Sequence, residues 1–559
     1  MINRTTIAVS LLFISGCNFS SKDESPEWVS GIEKPNFLLI LVEDISPYLT
    51  CYGDSTVKTP NIERLSKEGV RFTNVFTTSG VCAPSRSALI TGMYPASIGT
   101  NNMRTLSIHE NEYIKIDHYS VVLPHEVKCF TEHMRKNGYY CTNRGKRDWQ
   151  FHKPLTAFDD YGLEGAHWNN REPGQAFFSI VNIFDTHESQ IWMREGNEYS
   201  CNPENLNIPP YYPVCDTVKK DIHRMYSNIV EMDEKVGSFI DELEKDGLLD
   251  STFIIFLSDH GGPLPRQKRE ITGAGLHVPM IIRFPGGAYA GEANNQLISF
   301  IDLAPTFLSL ANIDVPDYMH GMAFLGNQKG RERKYIHGAR DRMDTEYDRV
   351  RSVSDGEFFY VKNYHPELPW VQDIEYRENM GIMKCLNSRH ANGTLDETCE
   401  LWFMQEKPSE LLYNIKEDPW EIKNLAEDST YHDKLIELRE AHINWLKKFG
   451  DKGEIPESEM VKSMWPDFAQ PVTKNPEIIF KNDKLILKCA DPGASIAYKV
   501  SDLEKPPDNT EPNGWELYTE PLNISKDKYL HAIATRIGYA DSDVITAQLK
   551  NHDIKTQKH

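Results

Sequence analysis

Two apolar runs constrain the fold of this chain more than any other feature. NFLLILV covers residues 36–42 and TFIIFLS covers 252–258; neither admits a charged residue before it ends, in Glu43–Asp44 and in Asp259–His260. A strand wetted on one face alternates polar and apolar residues. An unbroken apolar run instead suits a strand covered on both faces, as in a parallel sheet layered by helices. Between the runs, Ile222, Met225, Ile229, Met232, Val236, Phe239 and Leu243 recur at helical spacing, with acids and lysines between them and a stop near Gly247. Buried strands alternating with amphipathic helices predict an α/β fold. In such sheets the polar residues just past the carboxyl ends of the strands form the site. Glu43, Asp44, Asp259 and His260 hold that position, and His187 holds it after a third apolar run in FFSIVNIFDTHESQIW, Phe177–Trp192.

At 559 residues the chain is long for one domain, which predicts a large domain with an appendage. The character changes near residue 470. PDFAQPVTKNP reads as part of a linker over 451–475, and short alternating segments over 476–550 (KLILKC, SIAYKV, WELYTEP, YLHAIATRIGY) read as a small β-sandwich. That tail resembles the β-sandwich of chitobiase-type glycan enzymes. The net charge of −21 argues against non-specific nucleic-acid binding. Past the first 20 residues, no stretch is apolar and long enough to span a bilayer.

The N-terminus reads as an address. Arg4 precedes an apolar region, Ile7 to Ile14, and then Ile14-Ser15-Gly16-Cys17. Residues 1–17 read as a lipoprotein signal peptide with its lipobox cysteine: the tetrapeptide resembles a bacterial lipobox, which implies lipidation of Cys17, cleavage just before it so that Cys17 becomes the new N-terminus, and a membrane anchor. Residues 18–34 read as a tether, and Ser21–Glu24 resembles the surface-export signal of Bacteroidetes lipoproteins. The expectation is an exported bacterial lipoprotein of the outer membrane, on its periplasmic face or at the cell surface. Export permits disulfides. Proximity in loop-like stretches suggests the pairs Cys201–Cys215 and Cys385–Cys399.

SGVCAPSRSALITG, Ser79–Gly92, places Cys82 at the expected start of a helix with Arg86 four residues on. Cys82-Ala83-Pro84-Ser85-Arg86 with Thr91-Gly92 resembles the signature of the type I sulfatases, in the alkaline phosphatase superfamily. The resemblance extends over residues 35–450. It includes PNFLLILVED, FLSDHGG, RQKREITGAGLHVP, SFIDLAPTFLSLANI and YNIKEDPWEIKNLA, in family order and spacing. The implied fold is a large mixed, mostly parallel sheet sandwiched by helices, with a smaller C-terminal α+β subdomain at about 330–450, followed by the β-sandwich appendage.

The resemblance implies that a maturation enzyme oxidises Cys82 to formylglycine. One hydroxyl of the hydrated aldehyde attacks sulfur, and the second lets the intermediate collapse and eject sulfate. A helix N-terminus at Cys82 and the Arg86 cation favour negative charge there. Glu43, Asp44, Asp259 and His260, with residue 82, match the family's calcium ligands. Two departures stand out, Glu43 for the usual aspartate and His260 for the usual asparagine; an imidazole admits Mg²⁺ or a transition metal. Lys146 and Lys268 match the sulfate-holding lysines, and His187 matches the histidine that protonates the leaving group. Asp148 stands where the family commonly has another histidine.

VEDISP, SIGTNNMRT and RDRMDTEYDRVRSV resemble the bacterial heparan N-sulfatase-like branch. Asn101 and Asn102 replace a pair of histidines common there, and Arg104, Arg340 and Arg342 are candidates for reading a second anion on the sugar. The expected activity is hydrolysis of sulfate esters or sulfamates of a sulfated glycan. Two alternatives stay open: a phosphonate or phosphate ester hydrolase of the same superfamily, and a lipoprotein that binds sulfated glycan without catalysis.

Overall fold

Strand β1 (Asn36–Val42) is the centre of a nine-stranded sheet completed by β2 (Val70–Phe76), β3 (Tyr140–Arg144), β4 (Asp160–Gly162), β5 (Phe177–Ile183), β6 (Thr252–Ser258), β7 (His277–Arg283), β8 (Ala293–Asn294) and β9 (Ile298–Ser299). The computed structural model describes residues 32–106, 118–203, 205–481, 484–506, 514–523 and 528–549. Cys17 and its lipobox lie outside the described residues. The strand order is β4-β3-β5-β1-β6-β7-β2-β8, with β9 beside β2. β1 runs parallel to both neighbours, pairing Val42 with Ile183 of β5 and with Ser258 of β6. β7 runs antiparallel to β6 and β2, so the sheet is mixed and mostly parallel, as expected.

The unbroken apolar runs are explained by two cores. Phe37, Leu39 and Leu41 of β1 and Phe253, Ile255 and Leu257 of β6 face one side, against Leu89, Ile90, Phe130, Leu303 and Phe307 from three helices. Leu38, Ile40, Val42, Ile254 and Phe256 face the other side, against the helices Pro60–Glu68 and Asp216–Lys245. Ile222, Met225, Ile229, Met232, Val236 and Leu243 of the long helix lie in this second core, with Phe239 partly buried at its edge. Each such side chain contributes about 1.5–3 kcal/mol when fully buried. The long helix stops where the chain reaches Gly247, whose φ of +70° an L side chain adopts only at a cost.

A four-stranded antiparallel sheet follows, formed from Ile336–Arg340, Val350–Ser354, Phe358–Asn363 and Glu410–Asn414. Leu435, Leu438 and Ala441 of the helix His432–Phe449 cover one face. This is the smaller α+β subdomain. Two further antiparallel sheets lie near the C-terminus, one of two strands and one of four. They rest on the large domain through Leu155 against Trp515, and through Lys128 Nζ donating to Gly493 O at 2.6 Å.

Two sequence readings need correction. The stretch taken as a linker, 451–475, contains the helix Glu457–Met464, whose Met460 and Val461 enter the main core together with Trp465. Its prolines and exposed polar residues hid that short amphipathic turn. The suggested disulfide partners are also not brought together. Cys201 Sγ lies 3.3 Å from Ser227 Oγ, and Cys399 Sγ lies 3.9 Å from Pro210 O. Cys215 Sγ instead faces Cys385 Sγ at 3.2 Å, because the helix Gly381–Ala391 lies across the start of Asp216–Lys245.

Candidate active site

Cys82 is the first residue of the helix Cys82–Thr91, and all ten residues of that helix are buried. Val81 before it is extended, and Pro84 sits in the first turn, where its missing N–H removes no helical bond. No side chain caps this end, so the free N–H groups and the positive end of the dipole face the site around Cys82. The helix ends at Gly92, left-handed at φ +69°, with its N–H donating to Ala88 O at 2.9 Å.

Arg86, one turn on, ties the helix to three strand ends. Its Nε donates to Asp259 Oδ2 at 2.9 Å, one terminal nitrogen to Asn182 Oδ1 at 2.6 Å, and the other to Glu43 Oε1 at 2.8 Å. Three elements far apart in sequence are thereby tied to the helix that begins at Cys82. Ser85 Oγ adds a bond to Asp259 O at 2.5 Å.

Past β1 the chain turns sharply, with Asp44 at φ +50°, a conformation costly for a non-glycine residue and common at functional sites. Asp44 Oδ2 accepts from Lys268 Nζ at 2.5 Å and from the Glu188 N–H at 2.7 Å. Asp44 Oδ1 makes no well-aligned hydrogen bond and lies 3.0 Å from His260 Nε2. Burial opposes ionisation of Asp44, but Lys268 and His260 outweigh it and hold the carboxyl well below its usual range. Glu43 goes the other way: burial outweighs Lys146 and raises its pKa. Lys146 Nζ nonetheless sits 2.7 Å from Glu43 Oε2, and Asp148 stands 3.6 Å from the same ammonium.

His260 Nδ1 lies 3.0 Å from Gly261 O, which only accepts, so Nδ1 donates there and Nε2 faces the carboxylates. Burial opposes charging His260, yet Asp259 and Asp44 push its pKa up to about 10. The site around Nε2 therefore attracts a positive charge, whether a proton or a metal ion.

The residues fit a metal. Ligand atoms of Glu43, Asp44, Cys82 and His187 lie within 4.8 Å of one another, and so do those of Cys82, Asp259 and His260. Two of these atoms, Asp44 Oδ1 and His260 Nε2, are buried without a hydrogen-bond partner. Carboxylate oxygens suit a hard cation, and the single imidazole widens the choice to transition metals.

His187, which follows the end of β5, also joins this cluster. Its Nδ1 lies 2.9 Å from Ser189 Oγ, and the Phe184 ring stacks on it at 4.6 Å. Burial, with Lys268 adding to it, pushes its pKa down to about 3.

The residues expected to read the sugar separate into two groups. Asn101, Asn102, Arg340 and Arg342 are buried. Arg342 forks onto Glu457 at 2.6 and 2.9 Å, and Arg340 donates to Gln372 Oε1 at 2.5 Å. Asn102 Oδ1 accepts the Arg342 N–H at 3.3 Å. Arg104 differs: its side chain keeps 30% of its exposure, pairs with Asp344, and lies over the Tyr376 ring at 4.8 Å. Tyr376 in turn neighbours His187 at 6.4 Å and Trp192 at 5.2 Å.

Sequence reasoning missed Glu188, Arg269 and Asn182. Arg269 clamps both oxygens of Glu188 at 2.9 and 2.7 Å, and Glu188 also meets Lys268 at 3.2 Å. The available signal was adjacency, since Glu188 follows His187 and Arg269 follows Lys268.

The Sulfatase family model matches residues 35–313. An ulvan-active sulfatase of Formosa agariphila is 42% identical over 558 residues, spanning 93% of this chain and 92% of that protein. The chain belongs to the sulfatase family. Human N-sulphoglucosamine sulphohydrolase is 23% identical over 73% of this sulfatase and 89% of the human protein. Among solved structures, one crystallised in complex with its substrate D-glucosamine-2-N,6-O-disulfate superposes with a TM-score of 0.54 at 18% identity, over 76% of this sulfatase and 100% of that chain. That likeness shows the shared fold of the sulfatase, and the mixed sheet with its helical layers agrees with it.

Proposed function

We propose that this sulfatase removes sulfate esters from a sulfated polysaccharide of the ulvan type, using formylglycine made from Cys82 and one divalent cation. The observation that carries the reading is the uncapped helix start at Cys82, set beside buried Glu43, Asp44, Asp259 and His260 and flanked by Lys146 and Lys268. The full-length similarity to an ulvan-active relative supports the substrate class.

Formylglycine supplies a hydrated aldehyde for attack on sulfur, and the cation lowers the cost of negative charge on that hydroxyl and on a sulfate oxygen. Glu43, Asp44, Asp259 and His260 would hold the cation, calcium by family resemblance. Arg86 fixes Glu43 and Asp259 in position. Lys146 and Lys268 hold sulfate oxygens; both are tied to carboxylates, so they are placed before substrate arrives and need little reorganisation. His187 gives a proton to the leaving sugar oxygen. The incoming sulfate anion favours its protonated form against the burial that disfavours it. Asp148, beside Lys146, orients that ammonium. Arg104, at the open side next to Tyr376, reads a second anion such as a uronate carboxylate.

The protein is exported, anchored through a lipid on Cys17, and matured by a formylglycine-generating enzyme. The test is sulfate release from purified ulvan oligosaccharides by protein produced with that maturation enzyme. Release by the wild type and none by Cys82→Ala is expected. Faster turnover of aryl phosphate than of any sulfate would favour a phosphate ester hydrolase instead.

A further inference from the structure

The geometry points to an intramolecular disulfide between Cys215 and Cys385. Their sulfurs are 3.2 Å apart although 170 residues separate them in the chain. A disulfide brings sulfurs to about 2.05 Å, so closure asks for about an ångström of movement, within reach of side-chain rotation.

The backbones that bear the two thiols are held together independently. Cys215 is the N-cap of the long helix Asp216–Lys245, and Cys385 lies in the helix Gly381–Ala391. The Ile382 N–H donates to Asp221 Oδ2 at 2.7 Å, which joins the start of the second helix to the first. At Gly381 the helices approach so closely that a Cβ would meet the Asp221 carboxylate at 2.9 Å and Thr217 Cγ2 at 3.0 Å. The sulfur pair therefore sits on a fixed crossing of two helices.

The two thiols also have unequal chemistry. Burial opposes ionisation of Cys215, but the N–H groups of Val218 and Thr217 and the facing Cys385 thiol bring its pKa below the usual value. Burial pushes Cys385 up to about 11. Cys215 is thus the attacking thiolate. Both residues are only partly buried, so a small oxidant reaches them.

The oxidant is a disulfide, either of an exported thiol oxidase or of oxidised glutathione. Cys215 thiolate attacks one of its sulfurs, forms a mixed disulfide and expels one thiolate. Cys385 then loses its proton and attacks the Cys215 sulfur, which expels the second thiolate. The two protein thiols are oxidised, one disulfide is reduced to two thiols, and the two protons pass to the leaving thiolates.

The bond has a structural consequence for the site. The helix Gly381–Ala391 follows directly on Glu375–Glu378, which carries Tyr376 to its place beside His187 and Arg104. Fixing Cys385 to Cys215 fastens the Tyr376 segment to a helix packed on the main sheet. The bond is expected whatever the substrate proves to be.

The test is peptide mapping of the full chain after equilibration with oxidised glutathione. The protein is unfolded in an alkylating agent, digested without reductant and analysed by mass spectrometry. A peptide joining Cys215 to Cys385 is expected, lost in Cys215→Ser and Cys385→Ser and kept in Cys201→Ser and Cys399→Ser. Reductant should lower the melting temperature of the wild type and leave that of Cys385→Ser unchanged. Alkylation of both residues in the oxidised wild type, or pairing of either with Cys201 or Cys399, overturns the inference. That readout uses the wild type alone, so a variant that fails to fold does not blunt it.

Discussion

Asp44 Oδ1 and His260 Nε2 lie 3.0 Å apart in fully buried surroundings, and neither atom makes a well-aligned hydrogen bond. A carboxylate oxygen and an imidazole nitrogen left this way share one requirement, a positive charge between or beside them. With Glu43 and Asp259 close by, a divalent cation meets it better than a proton does.

Chelation should therefore abolish activity, and calcium should restore it. Restoration by zinc or manganese and not by calcium would mean that His260 has changed the metal preference. Asp44→Ala and Asp259→Ala should stay inactive at any practical calcium concentration, because each removes a buried carboxylate from the proposed cation site.

His187→Ala tests the proton donor. General acid catalysis contributes roughly 10²- to 10⁴-fold, so turnover of a sugar sulfate should fall within that range. A nitrophenolate leaves without a proton, so aryl sulfate turnover should fall far less. Equal losses on both substrates would assign His187 to the metal cluster it borders, not to the leaving group.

Arg342 and Arg104 should respond differently to removal. Arg342→Ala leaves Glu457 buried with no cation, only the Tyr119 hydroxyl still donating to it, which costs about 3–5 kcal/mol and should show as a lower melting temperature. Arg104→Ala, at a partly exposed site, should leave the melting temperature nearly unchanged and raise KM about tenfold or more on uronate-containing oligosaccharides, equivalent to a loss of at least about 1.4 kcal/mol. An unchanged KM would remove Arg104 from the sugar subsite.

Cys17→Ala should move the protein from the membrane to the soluble fraction with activity intact. Continued membrane association of that variant would mean that the N-terminal address works in another way.

The layered sheet and the strand-end acids were legible in the sequence because one periodicity reports both. An unbroken apolar run marks burial on two faces, and its last residue marks where polar side chains emerge. β1 and β6 show this, since Val42 pairs with Ser258 and the pairs Glu43–Asp44 and Asp259–His260 follow side by side. The start of the Cys82 helix was legible from Pro84 and the later Gly92. The direction in which an arginine points has no such signature. Arg340 ends a strand and Arg342 lies two residues past it, yet their guanidinium groups turn inward because Gln372 and Glu457 are there to receive them. Glu457 comes from a segment that reads as polar linker, so its role depended on tertiary packing alone. The Cys215–Cys385 approach was hidden for the same reason, since proximity in sequence says nothing about which helices cross.

The central claim is that Cys82 works as formylglycine. The most direct measurement is the mass of the peptide carrying residue 82, taken from fully active enzyme. The account predicts a peptide in which one oxygen has replaced sulfur and two hydrogens of the cysteine side chain, in proportion to activity. Full activity from protein whose Cys82 is an intact thiol would contradict it.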